Sequence, residues 1–164
     1  MFGFGQLIGI LKKNPKKIVF TEGEDPRILE ASSRLLASYF LHPILIGDEK
    51  RIADAAEESG FNIRGAEIID PEKFDKIDEM VELYCELRKK KGVTPDQARE
   101  ILKQANYFGT MLVKMGFADA LLGGATYSTA DTVRPALQLI KTKPGNNLVS
   151  SCFILVRPSA TGDN

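Results

Sequence analysis

Short apolar runs alternate with amphipathic stretches along the first part of the chain. Residues 18–20, 44–46 and 66–69 have the length and the β-branched content of buried strands. Between the first two runs, apolar residues recur at helical spacing from Ile28 to Leu36, behind an Asp25-Pro26 helix start. Residues 50–59 continue the alternation with a second helical pattern. This order of strand, helix and strand predicts right-handed parallel units in an open α/β sheet.

The rest of the chain predicts longer helices and two more strands. Helical patterns cover residues 74–91, 94–115 and 129–141, and a short docking helix is expected within residues 1–11. Residues 118–122 and 148–156 have the composition of strands, and the turn-forming run 143–147 precedes the second of them. A single strand cannot form a domain, so residues 148–156 either join the first sheet or open a second domain. We predict one domain over residues 1–145 and the opening strand and truncated start of a second domain over residues 146–164.

Composition and charge narrow the class of protein. Lys and Arg total 22 against 22 Asp and Glu, which favours neither nucleic acid nor an anionic membrane as a partner. No run of about 18 apolar residues could cross a bilayer. Cys85 and Cys152 lack metal-ligand spacing, and His42 has no nucleophile pattern around it. We expect a soluble cytoplasmic protein without a metal site, in which Cys152 fills space in the core.

The stretch from Gly123 to Pro135 is the candidate for chemistry. It combines a glycine turn, several hydroxyls and a helix start, and free amides in such a place can bind phosphate oxygens. Arg134 adds a planar cation suited to phosphate. The alternative is that the glycines only turn the chain, Ser128 or Thr129 caps the helix, and Arg134 pairs with Asp131. Spacing alone leaves both interpretations open.

Several charged residues outside this stretch can be explained by structural roles that need no ligand. Glu22, Glu24 and Asp25 follow the first predicted strand and could suggest a metal site or a general base, but we expect them to solvate the loop and cap the next helix. Arg88 lies in a basic run that is typical of a solvated helix carboxyl end.

Longer segments around these residues resemble the amino-terminal half of phosphate acetyltransferase. The resemblance rests on Tyr107–Lys114, on Gly116, Ala118 and Asp119, and on Ser128–Pro135, with further agreement at Glu22–Asp25, Arg27, Pro43–Gly47 and Arg88. Members of this family convert acetyl-CoA and phosphate into acetyl phosphate and CoA. Phosphate butyryltransferases and a domain of malic enzymes share the architecture, so the resemblance leaves the acyl chain open.

The resemblance implies a three-layer αβα open sheet similar to the isocitrate and isopropylmalate dehydrogenases, as the first domain of a normally two-domain protein. It implies a homodimer or higher oligomer whose partners are acetyl-CoA, phosphate and acetyl phosphate, with no cofactor beyond the CoA substrate. Arg134 matches a substrate-phosphate arginine, Arg88 a second implicated arginine, and Ser128 and Thr129 a hydroxyl-bearing loop at the cleft. The family's general base and transition-state serine belong to the absent carboxyl half. The chain is therefore expected to be the amino-terminal part of an acyltransferase, inactive alone or a non-catalytic binding fragment.

Overall fold

The computed structural model describes residues 4–152 and residue 155. Its centre is a four-stranded parallel sheet in the order β3-β2-β1-β4, built from β1 (Lys16–Phe20), β2 (Leu41–Ile46), β3 (Glu67–Ile69) and β4 (Ala120–Leu122). Val19 pairs with Ile44 on one side and with Leu121 on the other. Four predicted strands are thus present, and their parallel arrangement confirms the α/β class.

Seven helices connect and cover the strands within the described residues: α1 (Phe4–Lys13), α2 (Pro26–Ser38), α3 (Glu49–Ser59), α4 (Ile77–Leu87), α5 (Pro95–Leu102), α6 (Ala105–Lys114) and α7 (Thr129–Pro135). A 3₁₀ turn (Lys89–Lys91) follows α4, and a π-type segment (Ala136–Ile140) continues α7. Asp25, Asp48 and Thr94 cap α2, α3 and α5 with their side chains. These caps satisfy amides that a helix start otherwise leaves unpaired.

Alternation along the strands divides the sheet into two buried faces. Val19, Ile44 and Ile46 lie in one core with side chains of α4, α5 and α6, whereas Phe20 and Leu45 lie in a second core with α2 and α3. Successive strand side chains point to opposite faces, and both faces here are covered by helices. The result is a sheet between two helical layers.

The long helix predicted over residues 94–115 is wrong, because the chain breaks it into α5 and α6. Gln104 adopts an extended backbone (φ −79°, ψ 120°) that ends one helix and begins the next. The change of direction lets α6 approach β1 closely at Gly109, where an added Cβ would lie 2.9 Å from Val19 Cγ1. No proline or glycine in the break signals it, so packing decides the boundary.

The helix predicted over residues 74–91 is shorter than expected at both ends. Phe74 precedes α4 and packs edge-to-face on Phe108 and Phe117, with ring centroids 5.3 and 5.7 Å apart. The chain therefore places this aromatic ring in the core before the helix begins. At the other end, Arg88 stops α4 and the three following lysines form the 3₁₀ turn.

Helix α7 contains a proline, and a neighbouring side chain compensates for it. Pro135 has no N–H to donate to the Asp131 carbonyl one turn earlier. The Asn106 side-chain amide donates to that carbonyl instead, at 2.8 Å, from a residue that is 6 % exposed. After the proline the backbone hydrogen bonds span five residues instead of four, as in the bond from Lys141 N–H to Ala136 O at 3.0 Å. A buried amide on α6 thus attaches α7 to the domain.

The strand predicted over residues 148–156 is wrong as far as the described residues reach. Residues 148–152 form no strand, and Leu148 and Val149 are 85 % and 61 % exposed. A strand is stable only when its backbone pairs with a neighbouring strand, and residues 148–152 have no such pairing among the described residues. Residues 153, 154 and 156 lie outside the described residues, and the assignment of residues 146–164 to a second domain stays a prediction.

The amino-terminal helix is present, but most of its surface is not covered. Leu7 and Ile10 of α1 are 41 % and 58 % exposed. None of the helices in the described part of the chain is long and apolar enough to cross a membrane.

Candidate functional site

The carboxyl ends of β1, β2 and β4 meet at one edge of the sheet. Residues 21–25 follow β1, Gly47 follows β2, and a loop of residues 123–128, the glycine loop, follows β4. Residues 21–25, Gly47, Thr126 and Tyr127 line a cavity of about 440 Å³ at this edge. Strand order reverses at β1, because β2 and β4 lie on its two sides, and such a reversal is where open α/β sheets bind ligands.

A single carboxylate, that of Glu22, organises the glycine loop. Its Oε1 accepts N–H groups of Gly124, Thr126 and Tyr127 at 3.1, 2.9 and 3.0 Å. Its Oε2 accepts the Thr21 hydroxyl at 2.9 Å and a second, longer contact from Gly124 N–H at 3.3 Å. These amides converge like the backbone nests that bind anions in other proteins, and here the anion is a side chain of the same chain.

The hydrogen bonds keep Glu22 ionised. Burial raises the pKa of its carboxyl, but the donors from Thr126, Tyr127, Thr21 and Gly124 together outweigh that effect and hold the pKa below its ordinary value. The amides of Gly124, Thr126 and Tyr127 are therefore not free, because they already donate to Glu22.

Close packing and a second set of bonds hold the loop from the other side. A Cβ on Gly123 would lie 2.8 Å from Thr21 Oγ1, so only glycine fits this approach without movement. The Arg27 guanidinium donates to the Ala125 carbonyl at 2.6 Å and pairs with Asp25 at 2.7 Å. Asp25 caps α2, as predicted.

Ser128 and Thr129 lie at the start of α7 and have different environments. Ser128 caps the helix: its hydroxyl accepts from Asp131 N–H at 3.2 Å and donates to Asp131 Oδ2 at 2.6 Å. Thr129 is the exposed first residue of α7. The alternative in which a hydroxyl caps this helix is thus confirmed for Ser128.

Arg134 is exposed on the last turn of α7. The alternative in which Arg134 pairs with Asp131 is wrong, since the Asp131 carboxylate bonds to Ser128, and among the described residues Arg134 forms no ion pair. A cation that no carboxylate neutralises remains available to an anionic ligand.

Arg88 is half-buried at the end of α4, which contradicts the simple picture of a solvated basic run. Within the described residues its buried Nε has no hydrogen-bond partner. It lies beside Tyr84, whose ring packs 6.4 Å from that of Tyr107, and the Tyr107 hydroxyl donates to Gln138 Oε1 at 3.3 Å. Burial raises the pKa of Tyr84, the nearby Tyr107 adds to the rise, and the Arg88 guanidinium opposes it.

Among the described residues no hydrogen bond or ion pair joins Arg88 and Arg134. Tyr84, beside Arg88, packs on Tyr107, and the Tyr107 hydroxyl donates to Gln138. These contacts do not reach Arg134, so the structure does not link the two arginines predicted for the site.

Sequence reasoning missed two residues that shape this site. From the sequence Glu22 is expected to solvate its loop, whereas in the structure it holds the glycine loop, and Asn106 is not among the predicted site residues. A polar residue on an otherwise apolar helix face was the signal for Asn106, which is buried. Nothing local in the sequence shows that Glu22 reaches a loop about 100 positions away.

The remaining candidates contribute little to this edge. Cys152 is exposed, so its expected role as core filling is wrong, and Cys85 is half-buried. Among the described residues no group of three or more His, Cys, Asp or Glu could hold a metal ion. A second cavity of about 400 Å³, near Tyr39, His42 and Arg64, lies at the opposite edge of the sheet.

Comparison with known proteins gives consistent relatives. The chain is 50 % identical over 141 residues to a phosphate acetyltransferase of Bacillus subtilis, covering 86 % of this chain and 43 % of that protein. It is 46 % identical over 154 residues to a phosphate acetyltransferase of Thermoanaerobacterium thermosaccharolyticum, covering 93 % of this chain and 46 % of that protein. The chain thus spans less than half the length of these curated relatives.

Solved structures give the same result. The EutD phosphotransacetylase from Staphylococcus aureus superposes with a TM-score of 0.79 at 44 % identity, over 88 % of this chain and 45 % of that one. A phosphotransacetylase from Streptococcus pyogenes gives a TM-score of 0.79 at 43 % identity, with the same coverage. A family model described as phosphate acetyl/butaryl transferase matches residues 4–163. The chain therefore belongs to the phosphate acetyl/butaryl transferase family.

Proposed function

We propose that this chain is the amino-terminal part of a phosphate acetyltransferase, which converts acetyl-CoA and phosphate into acetyl phosphate and CoA. The observation that carries the proposal is the 50 % identity over 141 residues to the Bacillus subtilis phosphate acetyltransferase. The acetyl group is preferred over butyryl because the relatives of this chain carry the acetyl name.

The contribution of this half to the reaction is to bind and orient the phosphate end of the substrate. Arg134 supplies a cation on α7 that no carboxylate among the described residues neutralises, and the hydroxyls of Ser128 and Thr129 lie at the start of the same helix. A fixed arginine binds phosphate oxygens strongly and needs little reorganisation as charge develops in the transition state. Arg88, half-buried beside Tyr84, is the second arginine of the proposed site.

A general base and a transition-state serine are assigned to the carboxyl half, outside this chain. A free thiol with a pKa near about 8.5 is only a few per cent ionised at neutral pH, so CoA needs a base to attack acetyl phosphate. General base catalysis typically contributes about 10²–10⁴-fold in rate. This half alone is therefore expected to bind substrate and to turn it over feebly or not at all.

The remaining parts of the proposal concern the whole protein. It would be a cytoplasmic homodimer or higher oligomer with a fold similar to isocitrate and isopropylmalate dehydrogenases. Residues 1–145 would form its first domain, with CoA as a substrate and no further cofactor. The two helical layers on the sheet support that fold.

The test measures acetyl-CoA formation from CoA and acetyl phosphate by the chain alone and after mixing with the carboxyl-terminal part of the Bacillus subtilis relative. We expect activity to appear or to rise at least tenfold on mixing. A folded chain that gives no activity in either condition, and that does not bind acetyl phosphate, would contradict the proposal. Binding without activity in either condition would instead favour a non-catalytic phosphate-binding fragment.

Arg134→Ala is the decisive variant in this assay. We expect binding of acetyl phosphate to weaken at least tenfold, because a charge-assisted bidentate contact is lost. Arg34→Ala is the matched control, since Arg34 is an exposed helix arginine whose ion-pair partner among the described residues is Glu30 on α2. Equal affinities for Arg134→Ala and Arg34→Ala would remove Arg134 from the site. Butyryl phosphate, tested in parallel, should bind and react less well than acetyl phosphate.

A further inference from the structure

One side chain from a distant part of the sequence, that of Glu22, accepts the amide hydrogen bonds of the glycine loop, and the Arg27 guanidinium adds one bond to the Ala125 carbonyl. Three loop amides, from Gly124, Thr126 and Tyr127, and the Thr21 hydroxyl all donate to Glu22 at 2.9–3.1 Å. The Thr126 hydroxyl adds a longer contact at 3.5 Å. A carboxylate accepts several hydrogen bonds at once, so it can replace a bound anion in a nest of amides.

The neighbouring carboxylates at this edge have other partners. Glu24 pairs with Arg51 at 2.8 Å, and Asp25 pairs with Arg27 while it caps α2. Neither side chain receives a hydrogen bond from the glycine loop among the described residues. Glu24 therefore offers a control carboxylate two positions away in the same cavity.

The bonds to Glu22 end immediately before the residues that would bind substrate. Tyr127 N–H donates to Glu22, and the next residue, Ser128, caps α7 through Asp131. Asp131 O in turn accepts from Asn106, so α7 is fixed at its first turn from two sides. The position of Ser128, and through the helix that of Arg134, therefore depends on where Glu22 holds Tyr127.

The same carboxylate changes what the loop can bind. Converging amides attract a phosphate group, but a fixed negative charge among them repels one. The charge of Glu22 thus disfavours phosphate at the loop amides and leaves the Arg134 guanidinium as the cation on α7 that attracts it.

We propose that Glu22 is a positioning residue, whose carboxylate holds the glycine loop so that Ser128 and Arg134 meet the substrate phosphate, and which excludes that phosphate from the loop amides. This rests on the proposed function, because it takes Arg134 as the phosphate-binding residue. Glu22 itself touches no substrate.

The test compares Glu22→Gln, Glu22→Asp and Glu24→Gln in the full chain, with acetyl phosphate as the probe and calorimetry for affinity. Glu22→Gln keeps the side-chain shape and removes the charge, so we expect about tenfold weaker binding. Glu22→Asp restores the charge on a shorter side chain and should recover part of the affinity. Glu24→Gln should bind as the unmutated chain does.

Amide resonances provide a readout that general loss of stability would not move. In the unmutated chain the N–H signals of Gly124, Thr126 and Tyr127 should shift together as pH falls and Glu22 takes up a proton. In Glu22→Gln this shared titration should vanish, while the signals of Val19 and Ile44 in the sheet stay unchanged.

The remaining outcomes show whether the positioning role of Glu22 fails alone or together with the proposed function. Weaker binding for Arg134→Ala but unchanged binding for Glu22→Gln would overturn the positioning role and leave the proposed function intact. Tighter binding for Glu22→Gln would overturn it too, since the loop amides would then be the phosphate site. Unchanged binding for Arg134→Ala, or no binding by the unmutated chain, would overturn the phosphate site of the proposed function together with this proposal.

Discussion

The glycine loop of residues 123–128 and the segment of residues 143–152 differ in what holds them. Both contain a glycine turn next to apolar residues. The loop packs against Thr21, donates its amide hydrogen bonds to Glu22, and continues into a helix attached by Asn106. In the segment, Gly145 has no described atom within 4 Å of an added Cβ, and Leu148 is 85 % exposed.

This difference shows that partners from elsewhere in the chain, rather than local composition, order such a segment. Fixing a backbone residue costs about 1–2 kcal/mol of conformational entropy, and contacts must repay it. The glycine loop has those contacts, and residues 143–152 lack a partner among the described residues. Four substitutions test this difference between the two regions.

Gly123→Val should have the largest effect, because it removes the close approach of the loop to β1. Its Cβ would lie 2.8 Å from Thr21 Oγ1 and 3.4 Å from Thr132 Cγ2, so we expect a loss of about 3 kcal/mol in the free energy of unfolding. Denaturant unfolding measures it. Gly9→Val in α1, where no described atom lies within 4 Å, is the control and should be nearly neutral. A loss below about 1 kcal/mol for Gly123→Val would mean that the loop is not tightly packed.

Asn106→Ala should cost about 2 kcal/mol, because it leaves the Asp131 carbonyl without its side-chain donor. Adding Pro135→Ala supplies a backbone N–H that can donate to the same carbonyl. A double-mutant cycle by denaturant unfolding should therefore show that Pro135→Ala recovers part of the loss. Strictly additive effects would contradict the compensation between Asn106 and the proline.

The pH dependence of Glu22→Gln should be a smaller effect. The pKa of Glu22 is lowered by folding, so its charge stabilises the fold above the ordinary glutamate pKa, and this contribution is lost as pH falls through the folded pKa. The difference in unfolding free energy between the unmutated chain and Glu22→Gln should be largest at pH 6–7, as a rough range, and shrink below about pH 4.3.

Its magnitude should be below about 1 kcal/mol, because water screens a half-exposed carboxylate. Unfolding curves collected from neutral to acidic pH measure it. Asp25, Asp48 and Asp119 also have lowered pKa values, since side-chain or backbone donors bond to each, but they titrate equally in both proteins and cancel in the difference. A difference that grows towards acid pH would contradict the assignment.

Leu148→Ser should have the smallest effect, within about 0.5 kcal/mol, because the side chain is exposed. The same denaturant experiment checks it. A loss above about 1 kcal/mol would show that residues 143–152 are packed, and would remove the contrast with the glycine loop.

Most of the sheet could be predicted from the sequence, because buried strands need continuous β-branched runs. The runs at residues 18–20 and 44–46 lie within β1 and β2. Asp25 caps α2 by accepting a hydrogen bond from the N–H of Arg27, two residues further along the chain. Predictions from the hydrophobic pattern were wrong at Gln104 and at residues 148–152. In both places the structure depends on whether another part of the chain packs or pairs there, and the local pattern carries no information about that.

The residues of the candidate site could be predicted from the sequence, but the hydrogen bonds between them could not. The sequence predicted a glycine turn followed by a helix, and a cap by Ser128 or Thr129 was one of the two interpretations that it left open; the structure shows the cap at Ser128 and an exposed Arg134 on the last turn. The occupation of the loop amides by Glu22 was not, since the two are joined only where β1 and β4 become neighbours in the sheet.

By itself the sequence determined the α/β class, the strand centres, the helix caps and the resemblance to a family, because these depend on residue type and short-range spacing. Only the tertiary structure decided that α5 and α6 separate, that Asn106 completes α7, and that Glu22 takes the place of an anion in the glycine loop. Each of these depends on groups distant in sequence, whose energy of interaction exists only after the chain has folded.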